Sequence, residues 1–310
     1  MSLAQLLQRL GDPIEAPDEE TFDLFAQDLP SQNLGFIDSK ASTLDLTIGD
    51  RDLTIHQSPG VLASNRAGGT TGAVVWKITP LFAEWISSPS SSSPLFTNKI
   101  LTSSSHILEL GSGISALVGL VLAPRVASYV LTDQPYVSKL IDKNITENHL
   151  SPPPRSSSKK SNLKKTGGGG GGGGGGTLNF VPLDWEKDTP TPSLTLSPTT
   201  KSFDLVVACD CIYNEALIEP FVATCVDVCR LREGDDTHTT DTAEGTTKNP
   251  CICVVAQQLR DPDVFEAWLV RFAASFRVWR VPDDLLSPAL RSNSGFVVHF
   301  GILKGVVVPE

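Results

Sequence analysis

The chain has 310 residues, 40% of them hydrophobic and 19% charged, with a formal net charge of −10. That is enough apolar material for one sizeable core, while the acidic balance disfavours a nucleic-acid backbone as the main ligand, since such binding rests on clustered Lys and Arg, and suits a basic protein partner. No apolar run approaches the roughly 20 residues of a membrane helix, and the opening MSLAQLLQRL lacks a basic segment ahead of a long apolar one, so neither a span nor a secretory leader is expected.

In chain order, residues 3–10 form a short amphipathic helix candidate, followed by acidic text with Pro13, Pro17 and Pro30. Residues 1–42 therefore read as a flexible, loosely attached arm. Residues 43–57, TLDLTIGDRDLTIHQ, alternate apolar and polar on both sides of Gly49-Asp50, as a β-hairpin with one buried face would, and open a single domain over 43–310. Four segments interrupt it: 87–94 is nearly all serine, 151–176 ends in an unbroken glycine run, 189–201 is rich in Pro, Ser and Thr, and 233–248 is polar throughout. None can offset its ordering entropy by burying apolar surface, so all four read as solvated insertions.

Between the insertions, strand and helix patterns alternate. Strands are predicted at 106–110, 128–132, 178–181, 203–208 and 251–256, and helices at 114–123, 135–149, 215–230 and 262–274. Two strands then follow without a helix between them, at 276–281 and 296–303. Apolar strands alternating with helices predict a doubly wound α/β fold: a seven-stranded, mostly parallel Rossmann-like sheet covered on both faces, with a terminal antiparallel pair at its edge. The six cysteines fall as Cys209/Cys211, Cys225/Cys229 and Cys251/Cys253, spacings of one strand or helix face rather than of C-x-x-C zinc pairs. Reduced, buried thiols and no metal are expected, in a cytosolic or nuclear protein.

The chemistry concentrates at the strand ends. Residues 107–116, ILELGSGISA, run from a strand into G-x-G-x-x-A and a helix. Gly111 and Gly113 permit a tight turn and close backbone approach to a ligand above the carboxyl ends of the strands. Asp133, twenty residues after Gly113, ends the next strand, where it can accept both hydroxyls of a ribose or else cap the following helix. Glu109 discriminates between cofactors: its negative charge would harm a pyrophosphate loop, whereas a cationic sulfonium with a free amino group gains from it. S-adenosylmethionine therefore fits better than NAD. Asp184-Trp185 offers a carboxylate and an indole at adenine height, with Trp185 as plain core the alternative, and Ala208 is small enough to leave room at the end of the fourth strand. Asp210 and Tyr213 lie just beyond that strand, beside the expected methyl. A carboxylate there could hold an incoming ammonium and an aromatic face could shape the pocket; alternatively Asp210 caps the next helix and Tyr213 packs beneath it.

With those residues placed, the chain resembles the seven-stranded protein-lysine methyltransferases, most closely the fungal ribosomal lysine methyltransferase 5 group. The likeness rests on 70–78, TTGAVVWKI, on the Glu109–Leu117 segment, Thr132-Asp133, Asn144 with Asn148, Leu183-Asp184-Trp185, and the D-x-x-Y of Asp210 and Tyr213. It implies that Trp76, the Gly111-Ser112-Gly113 turn, Asp133, Trp185 and Ala208 contact S-adenosylmethionine and that Asp210 and Tyr213 act near the substrate amine. It further implies a basic ribosomal protein of the large subunit as substrate, although relatives with these motifs modify elongation factors and chaperones. A monomer with no direct nucleic-acid or membrane partner is expected. An NAD-dependent oxidoreductase or an inactive binding scaffold are the competing readings; the first leaves Glu109 and Asp184-Trp185 unexplained.

Overall fold

A computed structural model describes residues 2–30, 35–66, 69–88, 93–149, 176–233 and 249–308. The chain begins with helices α1 (Leu3–Leu10) and α2 (Pro17–Phe25), then the hairpin β1 (Thr43–Ile48) and β2 (Arg51–His56), and the helices α3 (Pro59–Leu62), α4 (Ile78–Ser87) and α5 (Pro94–Thr97). The core follows as β3 (His106–Leu110), α6 (Leu117–Leu122), β4 (Ser128–Asp133), α7 (Ser138–His149), β5 (Thr177–Pro182), β6 (Leu205–Cys209), α8 (Ile218–Arg230), β7 (Ile252–Gln258), α9 (Pro262–Ser275), β8 (Phe276–Arg280) and β9 (Phe296–Leu303).

The main sheet has seven strands in the order β5-β4-β3-β6-β7-β9-β8. Six run in one direction, and β9 runs antiparallel between β7 and β8. This is the doubly wound sheet with an antiparallel edge that the apolar strand pattern predicts. Successive strand residues face opposite sides: Ile107, Leu131, Val207 and Val254 join one apolar cluster with α4, α6 and α1, while Leu108, Val130, Val206 and Val255 join another with α8 and α9. The chain leaves β3 toward β4 and β5, then returns to β6 on the other side of β3. The crevice at the carboxyl ends of β3 and β6 is thus the topological switch point, where doubly wound sheets bind ligands.

The predicted hairpin is present, with Leu44 opposite Ile55 and Leu46 opposite Leu53. Its open edge is covered by α7. Asn144 accepts from the His56 amide (2.8 Å) and donates to the His56 carbonyl (2.9 Å) and the Ile114 carbonyl (2.7 Å). One turn later, Asn148 does the same for Thr54, at 2.9 Å each way. Their spacing of four residues matches the two-residue step along β2, and the pair satisfies backbone groups that an edge strand would leave open.

Three expectations need correction. The arm at 1–42 is not loosely attached where it is described: Leu3, Leu6 and Leu10 are buried, Trp279 Nε1 donates to the Gly11 carbonyl (3.1 Å), and the Ile14 amide reaches the carbonyl of Val278 on the edge strand β8 (2.7 Å). Helix α2 packs on α9, with the Phe25 and Phe265 rings 5.8 Å apart. A few well-spaced apolar residues suffice because the sheet presents an edge and an apolar face to receive them. The 189–201 segment is likewise ordered: Pro192–Thr195 forms a 3₁₀ turn that buries Leu194 and Thr195, and the Thr195 hydroxyl donates to the Thr200 carbonyl (2.6 Å). At the end of 87–94, Ser93 is buried and donates to the Ile86 carbonyl (2.9 Å). The centre of that segment, nearly all of 151–176, and 234–248 lie outside the described residues.

All six cysteines are buried and unbridged. Among the described residues no cluster of His, Cys, Asp and Glu is placed to hold a metal ion, and no helix is long and apolar enough to cross a membrane.

Candidate active site

The switch-point crevice opens into a cleft between the turn after β3 and the segment before α4. Trp76, Glu109, Gly111, Ser112, Gly113, Asp133, Asp184, Trp185, Asp210 and Tyr213 all line it. These side chains come from segments spread over nearly 140 residues of chain, and the sheet order brings them together.

Its floor is the turn after β3. Gly111 and Gly113 have φ of +66° and +58°, a region that L side chains disfavour. Space is short as well: a Cβ on Gly111 would lie 2.7 Å from Cys211 Sγ and 3.2 Å from the Trp185 ring, and one on Gly113 would lie 3.2 Å from the Gly72 carbonyl oxygen. Ser112 donates its amide to the Thr132 carbonyl (3.0 Å), and Asp133 fixes the turn from β4 by accepting from the amides of Gly113 (2.8 Å) and Gln134 (2.6 Å). Desolvation nonetheless lifts the Asp133 carboxyl to about 6, against those two hydrogen bonds. Its capping role is confined to the adjacent Gln134 amide, which leaves acceptor capacity toward the cleft.

Glu109 is 2% exposed and accepts from the buried Tyr129 hydroxyl at 2.7 Å. Burial pushes its carboxyl up to about 7, with the Tyr129 hydrogen bond acting in the opposite sense and the charge of Asp133 adding to the rise. Two carboxyl groups thus stand at the ends of neighbouring strands in a desolvated wall. A pyrophosphate would be repelled there, and a cation would lower both proton affinities.

The segment before α4 forms the opposite wall. Trp76 donates Nε1 to the Thr71 carbonyl (3.1 Å), packs on Phe36 at 4.5 Å, and is bridged to it by backbone pairing. The Gly72 carbonyl accepts from Ile114 (2.9 Å), which closes this segment onto the glycine turn. Across the cleft, Trp185 packs on Phe221 with ring centroids 5.1 Å apart, and its Nε1 is buried without a hydrogen-bond partner among the described residues. At the cleft's edge Asp184 is tied into its own loop, accepting from Lys187 Nζ (2.7 Å) and from the Glu186 amide (3.1 Å); the Lys187 hydrogen bond holds its carboxyl below the usual range.

Ala208 does not line the cleft. Alternation along β6 turns its methyl into the apolar cluster on the α8 side, fully buried, and Cys209, one residue on, faces the cleft instead.

Beyond β6 the backbone kinks: Asp210 has φ of +61° and donates its amide to the Ala256 carbonyl (2.8 Å). It does not cap the next helix, whose entry is capped by Asn214. Both of its carboxylate oxygens face Arg260, with Nη1 to Oδ1 2.7 Å and Nη2 to Oδ2 2.6 Å. Tyr213, 41% exposed at the mouth, is hydrogen-bonded to Thr71; desolvation raises its hydroxyl above the ordinary value. The sequence reading missed Arg260 and Thr71. The signal for Arg260 lay in strand pairing: once Cys209 sits opposite Ala256, a cation four residues past Ala256 can reach back to Asp210.

Comparison with known proteins gives the following. The profile of a family described as lysine methyltransferase matches residues 55–163 and 174–234. Ribosomal lysine N-methyltransferase 5 of Zygosaccharomyces rouxii is 34% identical over 236 residues, covering 71% of this chain and 70% of that protein. The Vanderwaltozyma polyspora protein of the same name is 28% identical over 301 residues, 82% of this chain and 87% of the other. A Schizosaccharomyces pombe protein named diaminohydroxyphosphoribosylamino-pyrimidine deaminase is 30% identical over 275 residues; the match takes in 88% of this chain but only 55% of that longer protein.

Proposed function

The chain belongs to the lysine methyltransferase family, and from that premise we propose that it uses S-adenosylmethionine to methylate a lysine of a basic protein, with a protein of the large ribosomal subunit as the substrate. The observation that carries this reading is the pairing, in one cleft, of a desolvated carboxyl wall with a tight glycine turn at positive φ. Glu109 and Asp133 favour a cofactor with cationic groups and hydroxyls over one with a pyrophosphate. Gly111 and Gly113 admit it to the backbone, and the Trp185 ring lines the cleft beside them.

When bound, S-adenosylmethionine supplies an electrophilic methyl on a cationic sulfur. The chain's own residues have to orient and exclude. Asp133 receives the ribose hydroxyls, Glu109 balances the positive charge, and Trp76 and Trp185 wall off water from opposite sides. Tyr213 stands at the open end, where a lysine side chain enters, with the buried Asp210 behind it. Transfer is an in-line displacement at carbon, so alignment of a neutral amine contributes most of what the protein can supply.

The substrate class draws on the −10 net charge and on the names of the yeast relatives. An elongation factor or chaperone would present the same lysine chemistry. The deaminase name of the S. pombe relative is not carried over, since the match takes in only 55% of that protein. The test is to incubate the protein with tritiated S-adenosylmethionine and acid-extracted large-subunit proteins, then hydrolyse the labelled product. Label in methyl-lysine supports the reading; label in arginine or RNA, or none at all, contradicts it.

A further inference from the structure

Asp210 is not a free carboxylate. Arg260, two residues past the end of β7, meets it in a two-point fork at 2.7 and 2.6 Å, the geometry in which guanidinium matches carboxylate best. The Gln258 amide adds a contact to Oδ1 at 3.3 Å, and Arg260 Nη2 also reaches Gln258 Oε1 at 3.0 Å. The guanidinium carbon lies 4.7 Å from the centre of the Trp76 ring. The Asp210 side chain is 1% exposed and that of Arg260 18%. One cation therefore joins the acid of the D-x-x-Y segment to an indole on the far wall of the cleft.

The charge balance bears on the amine. An unpaired carboxylate at this position would attract the lysine ammonium and favour the protonated, non-nucleophilic form. Paired, it carries no net charge, yet Oδ2 retains acceptor capacity for an amine N–H. The other titratable groups facing this end are Tyr213, beside Asp210, and the thiols of Cys209 and Cys211, all raised above their ordinary values by burial. Glu109 and Asp133 face the cleft from β3 and β4.

Resting on the reading of this cleft as a lysine methyl-transfer site, we propose that Arg260 is a positioning residue that cancels the charge of Asp210, so that the carboxylate orients the incoming amine without trapping it as ammonium. The ammonium loses its proton to water at the mouth beside Tyr213. The nitrogen lone pair then forms the N–C bond while the S–C bond breaks and its electron pair passes to sulfur, leaving a methylammonium and a thioether.

The experiment compares wild type, Arg260→Gln, Arg260→Lys and the double variant Arg260→Gln with Asp210→Asn, using tritiated S-adenosylmethionine and acid-extracted large-subunit proteins across pH. Arg260→Gln should lower kcat about tenfold or more near pH 7.5 without raising KM, with the rising limb displaced upward by about one pH unit so that the deficit closes in alkali. Arg260→Lys, which keeps the charge but not the fork, should keep the wild-type position of the rising limb, and the double variant should regain most of the loss. With S-adenosylhomocysteine present, n-butylammonium should bind Arg260→Gln about tenfold more tightly than wild type in calorimetry. Asp210→Asn, which leaves the guanidinium unopposed, should instead raise KM, and it carries the test if Arg260→Gln does not fold. A loss uniform across pH, an unrescued double variant, unchanged n-butylammonium affinity, or an unchanged KM in Asp210→Asn overturns the proposal alone. Failure of the wild type to label any lysine would overturn the function reading and this inference with it.

Discussion

Asp133 serves two masters, holding the glycine turn through the Gly113 amide while facing the cleft. Asp133→Ala should therefore weaken cofactor binding by about 10- to 100-fold, the range for lost hydrogen bonds to a charged group, as read by calorimetry with S-adenosylhomocysteine; retained affinity would remove Asp133 from the cofactor site. Glu109 carries a pH signature. Its folded value of about 7 lies above the ordinary 4.5, so the unfolded chain gives up its proton first. The associated stability is fully present below about pH 4.5 and is lost as pH rises to about 7, in all about 3 kcal/mol, of which about 2 kcal/mol goes between pH 5.5 and 8. The unliganded protein should melt at a lower temperature at pH 8 than at pH 5.5, and Glu109→Gln should shrink that difference. An identical pH dependence in the variant would refute the assignment. Glu109, Asp133 and the glycines were legible in the sequence because each sits at a fixed offset from a strand end. The Asp210–Arg260 pair was not, because it joins residues 50 apart whose meeting depends on the pairing of β6 with β7.

At the scale of elements, the parallel strands announced themselves by uninterrupted apolar runs, and the hairpin by alternation around Gly49-Asp50. Ala208 shows the limit of that reading: a position one residue off in a period-two element faces the other side of the sheet. The N-terminal arm was misread because its apolar residues are few and their partners, Trp279 and Val278 among them, lie more than 260 residues away. Docking makes a clear prediction. Leu6 is fully buried, so Leu6→Ala should cost about 2–5 kcal/mol in urea unfolding, whereas a loosely attached arm would leave stability within about 0.5 kcal/mol of wild type. Asn144→Ala should cost about 1–3 kcal/mol by stripping partners from the His56 amide and from the His56 and Ile114 carbonyls. An unchanged unfolding midpoint would mean that the hairpin edge is satisfied in some other way.

For the molecule as a whole, function follows from sheet order. The reversal between β3 and β6 opens one crevice, and the segments that carry Trp76, Asp133, Trp185 and Asp210 all end at it. The open mouth lies beside the exposed Tyr213. Binding of S-adenosylmethionine in this crevice is measured by calorimetric titration of the purified protein with S-adenosylhomocysteine, with NAD in parallel. Micromolar or tighter one-to-one binding of S-adenosylhomocysteine and none of NAD is expected; binding of NAD, or of neither by protein shown to be folded, would rule out the assigned cofactor.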